Sequence, residues 1–320
     1  SIIIYNDDIS RGIKRIEHNY TIRGKVTDES GILIVKVNNN EVYTDKNGNF
    51  STDIFLSEEK NKILIEATDI YQNEAFKSVT VTREITNFPI NIDSNKRLAL
   101  VIGNANYVYG GKLSNPVNDA RSIESTLRRL NFTVIKYENC NQKAMKKAID
   151  DFGEKLINKN TALFFYAGHG VQVSGNNYLV PIEAKLKNEN DVEYDCVRAD
   201  RILSKMERAG SKTNIVILDA CRDNPFERSW QRSARGRGLA FMSAPSGSLI
   251  AYATSPGETA SDGSGLNGLY TSALLKYIIT PNLKIEEIFK KVRETVIRES
   301  NNMQIPWEST SLIGNFYFIK

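Results

Sequence analysis

Ala162-Leu163-Phe164-Phe165-Tyr166-Ala167-Gly168-His169-Gly170 and Asn214-Ile215-Val216-Ile217-Leu218-Asp219-Ala220-Cys221-Arg222-Asp223 share one design. Each starts as a short apolar run and ends on a reactive side chain. A strand buried on both faces of a parallel sheet reads as such a run, not as an alternation. Residues 98–102, Leu-Ala-Leu-Val-Ile, repeat the signal. Around these runs the period changes to that of helices. Ala120, Ile123, Leu127 and Leu130 fall on one helical face, and Met145, Ala148, Ile149, Phe152 and Leu156 on another. Further helices are predicted near 200–208, 269–278 and 285–298, and further strands at 132–137, 248–254 and 311–319. Strands alternating with helices predict an α/β fold with a mostly parallel six-stranded sheet covered by helices on both faces.

Upstream of Arg97 the rhythm is different. Residues 20–26, 32–37, 50–56, 62–68 and 75–83 read as short strands rich in Ile, Val and Thr, spaced about ten residues apart as in a small β-sandwich. Tyr43-Thr44-Asp45-Lys46-Asn47-Gly48-Asn49-Phe50 carries the Asn-Gly of a tight hairpin. The expected organisation is an N-terminal segment 1–19, a sandwich 20–85, a linker 86–96 and an α/β domain 97–320. Asp45 and Asn47 also suit a calcium loop, but no Glu closes the ligand set, so a plain turn is the preferred reading.

Composition narrows the function. The 320 residues contain 41% hydrophobic and 25% charged side chains, a globular balance that excludes collagen-like and wholly disordered chains. No apolar run reaches the ~18 residues of a membrane span. A net charge of +4 gives no global case for nucleic acid or anionic lipid. Two histidines make a histidine-rich metal site improbable, and three cysteines, an odd number, exclude a disulfide scaffold. The chain opens at Ser1 without a charged-then-apolar leader pattern, consistent with a mature or a trimmed form.

The chemistry is expected beyond the carboxyl ends of the strands, where the strand-to-helix loops of open α/β sheets gather. His169 and Cys221, 52 residues apart, both end such strands. A free thiol is only a few per cent thiolate at neutral pH. A neighbouring imidazole takes its proton and later returns one to a leaving amine. Gly168 and Gly170 would let a substrate backbone approach, and the Gly170 N–H is a candidate oxyanion donor. The alternative is a buried core thiol and a satisfied loop histidine. Cys140 and Cys196 are read as bystanders, Cys196 because Glu193, Asp195 and Asp200 surround it in sequence. His18 is expected at the surface.

Leu100-Val101-Ile102-Gly103-Asn104, Asn118-Asp119-Ala120, Tyr166 to Gly170, Asp219 to Asp223, Ala251-Tyr252-Ala253-Thr254-Ser255-Pro256-Gly257 and Pro306-Trp307-Glu308 occur in an order that resembles the caspase-like cysteine peptidases, in their bacterial metacaspase-like (orthocaspase) branch. The upstream strands resemble a bacterial immunoglobulin-like module. The first resemblance implies peptide-bond hydrolysis through an acyl-enzyme, with His169 and Cys221 as the dyad and no third member. Animal caspases hold a P1 aspartate with two arginines and a glutamine; here those positions are Leu113, Asp262 and Asp219. A pocket without cations and with added carboxylates suits Arg or Lys. Metacaspases build theirs from positions that fall on Asp219 and Asp119, although Asp119 also suits a helix cap.

Arg228, Arg232, Arg235 and Arg237 follow the nucleophile position and are candidate self-cleavage sites, unless they are only a solvated loop. No cofactor is required. Calcium activation, known in some metacaspases, is conceivable through Asp191, Glu193, Asp195 and Asp200, though their spacing fits poorly. The expected partners are peptide or protein substrates with a basic P1 residue, and for the sandwich three roles stay open: positioning substrate, blocking the active site before activation, or attaching to an unknown partner. Two other readings stay open: a catalytically silent adaptor working through the sandwich, and an Asp-directed caspase-type peptidase. Location is open too, since immunoglobulin-like modules favour the exterior and a catalytic thiol tolerates either compartment.

Overall fold

In the computed structural model the described residues are 1–5, 14–15, 19–56, 60–83, 96–221, 239–255 and 265–320. The chain divides into two units, Ser1–Phe88 and Pro89–Lys320. In the first, β1 (Ile2–Ile4), β3 (Asn19–Val26) and β6 (Asn49–Phe55) form one antiparallel sheet. The short β2 (Lys14–Arg15) and β5 (Asn40–Glu41) flank β8 (Glu74–Arg83), β7 (Lys60–Asp69) and β4 (Ile32–Val37) in a five-stranded second sheet. Alternate residues of both sheets, among them Ile22, Phe50, Val35, Ile63, Ile65 and Val81, make one core. Residues 1–19, expected as a separate segment, therefore contribute β1 to the first sheet. The Asp45 carboxylate accepts the N–H groups of Asn47 and Asn49 and the Asn49 side-chain amide. These bonds, the Asn49 amide first, hold it below the usual carboxylate range. Asp69 repeats the turn with Tyr71 and Asn73, so both are Asx turns.

The second unit carries β9 (Arg97–Gly103), α1 (Pro116–Arg129), β10 (Thr133–Glu138), α2 (Gln142–Lys155), β11 (Thr161–Val173), β12 (Asn176–Leu179), α3 (Glu189–Asp195), β13 (Val197–Arg198), α4 (Asp200–Ala209), β14 (Thr213–Cys221), β15 (Ser248–Tyr252), α5 (Leu269–Ile278), α6 (Ile285–Glu299) and β16 (Trp307–Thr310). The main order is β10-β9-β11-β14-β15-β16, parallel except for the antiparallel β16. Local signals agree with these elements. Pro116 opens α1, Asn141 caps α2 by accepting the Ala144 N–H, and Gly210 at φ 72° ends α4.

The period of two sorts the strands onto two faces. Leu98, Leu100, Ile102, Phe164, Val216 and Leu218 pack with Met145, Phe152, Ile202 and Met206 of α2 and α4. The intervening residues, such as Val101, Phe165 and Ile217, are equally buried on the other side, and α1 lies close to β9 and β11 and to α5. At one edge the Arg97 guanidinium donates to the carbonyls of Leu130, Tyr317 and Phe318 and lies over the rings of Phe132 and Phe316. Burial lowers its pKa to about 10.

Three expectations are corrected. β11 does not stop at Tyr166 but runs through His169 to Val173, its second half pairing with β12. With β12 and β13 added, the sheet has eight strands, six of them in the main order. The last strand is β16, not 311–319; Phe316 and Phe318 are buried as a tail held by Arg97. Among the described residues, no helix is long and apolar enough to cross a membrane.

Candidate active site

His169 is 4% exposed and sits inside a strand. Its N–H donates to the Tyr107 hydroxyl at 2.7 Å, and its carbonyl accepts the Tyr166 hydroxyl at 2.7 Å and the Val180 N–H at 3.0 Å. The imidazole lies against the Tyr107 ring, 4.4 Å between centroids at 48°. Nε2 is 3.3 Å from the Gly111 carbonyl oxygen. A carbonyl only accepts, so the contact is a hydrogen bond in the tautomer that carries its proton on Nε2, and Nδ1 lies buried.

The flanking glycines answer to close packing inside the chain. A β-carbon on Gly168 would lie 2.6 Å from the Tyr107 hydroxyl oxygen and 2.8 Å from that of Tyr166. On Gly170 it would meet Leu239 at 2.9 Å and Ala220 at 3.1 Å. Both glycines make room for this chain's own side chains. Gly170 belongs to β11, opposite Leu179, so a hydrogen bond from its N–H to an oxyanion would come from strand backbone and not from a free loop.

Cys221 is the last residue of β14 and the register partner of His169. Neighbouring strands run about 4.8 Å apart, so the two backbones meet at the rim. The other cysteines are buried. Burial, then the Glu183 charge, pushes the Cys140 thiol up to about 11. Burial, then Asp195 and Glu183, pushes Cys196 higher still.

Asp119 and Asp219 come from different elements to the start of α5. Asp119, in α1, accepts the Asn267 side-chain amide at 2.8 Å and the Gly268 N–H at 3.0 Å. It thereby bonds the residue that opens α5, while the cap position of its own helix is Asn115. Asp219, in β14 two residues before Cys221, accepts the Thr271 hydroxyl at 2.6 Å. Their Oδ2 atoms lie 3.4 and 3.7 Å from the one point where a β-carbon on Gly268 would sit. The N-terminus of α5 favours negative charge there. Ser122 in turn contacts Asn267. The Tyr270 phenol is pushed well above its ordinary value, by burial first and the Asp219 charge second. Asn267, Gly268, Thr271 and Tyr107 were not anticipated, and only the Asn-Gly pair ahead of the α5 pattern marked that point in sequence.

Asp262, Arg228, Arg232, Arg235, Arg237 and His18 lie outside the described residues. Asp191 accepts the Lys187 and Asn188 N–H groups in the α3 capping box, and Asp200 pairs with Arg198. Among the described residues, no three His, Cys, Asp or Glu side chains are grouped to hold a metal ion. Leu113 is half-buried against the small core that includes Tyr107 and Val171.

Fold and site together define a class, α/β proteins with a cysteine and a histidine in register at the rim of a parallel sheet. Residues 96–317 match the family model described as the caspase domain, and the chain belongs to that family of cysteine peptidases. Residues 10–85 match the model described as domain B of glucodextranase. The human mucosa-associated lymphoid tissue lymphoma translocation protein 1 is 34% identical over 128 residues, covering 39% of this chain and 15% of that protein. Its mouse homologue is 32% identical over 142 residues, covering 44% and 16%. Caspase a of Danio rerio is 25% identical over 145 residues, covering 42% and 36%. The chain thus spans well under half the length of these curated relatives. The Drosophila initiator caspase Dronc shares the fold at TM-score 0.54 and 16% identity, over 72% of this chain and 86% of that one.

Proposed function

We propose that this chain is an endopeptidase of the bacterial metacaspase-like kind that cleaves after Arg or Lys through a Cys221–His169 dyad. The observation that carries the specificity is the convergence of Asp119 and Asp219 on Gly268, with Asp219 two residues from Cys221 along β14. Two carboxylates that share one approach repel each other, and an incoming guanidinium relieves that repulsion with paired bonds.

In the reaction His169 Nδ1 takes the Cys221 thiol proton, and the sulfur attacks the scissile carbonyl. The oxyanion forms beside the Gly170 N–H. The imidazolium protonates the leaving amine, giving a thioester and a new N-terminus. His169 then deprotonates a water that hydrolyses the thioester. No step needs a cofactor. Calcium, where it acts, is an activator and not a reactant. Residues 222–238, which hold the Arg cluster, are the proposed site of self-cleavage, and the N-terminal unit is read as an immunoglobulin-like accessory module for a partner.

A fluorogenic panel with P1 Arg, Lys, Leu and Asp tests this, with Cys221→Ala as control and intact mass recorded. Turnover confined to Arg and Lys, two fragments in the active protein and a single chain in Cys221→Ala are expected. Cleavage after Asp overturns the specificity. No turnover of any peptide, with and without calcium and with the chain already nicked, favours the silent adaptor.

A further inference from the structure

Two buried phenols stand behind His169, and neither belongs to the dyad or to the acidic pocket. The Tyr107 hydroxyl accepts the His169 N–H, and the Tyr166 hydroxyl donates to the His169 carbonyl. The two hydroxyl oxygens are 3.3 Å apart. Counting protons sets the direction of that last bond. The one proton of Tyr166 goes to carbonyl oxygen, His169 at 2.7 Å with Val180 at 3.2 Å as the weaker competitor. Tyr107 therefore donates to Tyr166. The result is a closed circuit, from the His169 N–H through Tyr107 and Tyr166 to the His169 carbonyl. Burial, and then Tyr107, push the Tyr166 phenol well above its ordinary value, so the circuit keeps its protons.

Packing alone does not call for these hydroxyls. Phe164 and Phe165 fill the strand of Tyr166 without a hydroxyl, and a buried hydroxyl costs free energy unless it is bonded. Tyr107 also stands on a fixed mount. The Asn104 N–H donates to the Ala167 carbonyl, the Asn139 side chain accepts the N–H groups of Ala105 and Asn106, and the Val108 N–H donates to the Ile182 carbonyl. With the ring of Tyr107 against the imidazole and its hydroxyl on the main chain, one side chain touches both the ring and the backbone of His169.

We infer that Tyr107, backed by Tyr166, is a positioning residue for the His169 imidazole. This rests on His169 being the base that activates Cys221. The test reads iodoacetamide alkylation of Cys221 by peptide mass spectrometry, alongside steady-state kinetics on a P1-Arg peptide. Cys140 and Cys196, buried and with raised thiol pKa values, label slowly and mark the background. Tyr107→Phe is expected to lower both kcat and the Cys221 alkylation rate about tenfold, with KM changed less than about twofold. In His169→Ala the same substitution should change alkylation no further. Tyr166→Phe, which leaves the acceptor for the His169 N–H in place, should give a smaller loss of the same kind. Wild-type rates in Tyr107→Phe, or an equal loss with and without His169, overturn the inference. Equal alkylation of wild type and His169→Ala removes the dyad itself, and the inference with it.

Discussion

Replacing Gly268 by Ala probes the acidic pocket at the one point its two carboxylates share. The backbone there, φ −56° and ψ 152°, suits any residue, so no strain is introduced. The new methyl would meet Asp119 Oδ2 at 3.4 Å and Asp219 Oδ2 at 3.7 Å, ordinary van der Waals distances. Ala is a poorer N-cap than Gly, a loss of up to about 1 kcal/mol. It also removes about 0.4–1 kcal/mol of unfolded-chain entropy, and the two nearly cancel. The melting temperature should therefore move by no more than about 4 °C. Catalysis should respond far more. A guanidinium needs N···O distances of about 2.7–2.9 Å, and a methyl group resting on both oxygens holds it off. Losing one charge-assisted bond costs about 1.5–3 kcal/mol, so kcat/KM for a P1-Arg peptide should fall roughly ten- to hundredfold. Lysine, a single point charge, should lose less. The assay is kcat/KM for P1-Arg and P1-Lys peptides beside a thermal melt. Unchanged kcat/KM in a folded variant would refute the placement of the basic side chain between Asp119 and Asp219.

Two further predictions concern the frame around the site. Glu138 is held at about 2, first by the Arg121 guanidinium and then by Lys136. Its folded value lies below its unfolded one, so its stabilisation is complete above about pH 4.5 and fades as pH falls towards 2. Urea titrations should show wild type and Glu138→Gln differing most at neutral pH and converging near pH 2. Asn177 clamps Ala240 just after residues 222–238, accepting its N–H at 2.6 Å and donating to its carbonyl at 2.7 Å. Asn177→Ala should cost about 2 kcal/mol, a fall in melting temperature of roughly 4–8 °C, and an unchanged melt would show the clamp to be idle.

Most of the α/β unit was legible because its signals are local. Buried parallel strands are unbroken apolar runs, and the helices carry their apolar faces at a period of 3.6. The misreadings occurred where local signals compete with distant pairing. Gly168 and Gly170 punctuate β11 and so suggest a loop. The strand nonetheless continues, because β12 lies beside it and the Tyr107–Tyr166 hydroxyls fill the space a side chain would take. Phe316 and Phe318 alternate like a strand, yet they answer to the Arg97 guanidinium, more than two hundred residues away in sequence.

Sequence alone determined which side chains could do chemistry and that His169 and Cys221 follow the apolar runs of two buried strands. Residue type and short-range periodicity suffice for that. Tertiary structure decided the rest. Registering β11 with β14 made His169 and Cys221 neighbours, and the start of α5 drew Asp119 and Asp219 to the same glycine. Tyr107 was brought beneath the imidazole in the same way. Each of these is a meeting of segments far apart in the chain, set by burial and hydrogen bonding across the whole unit, and no local pattern encodes it.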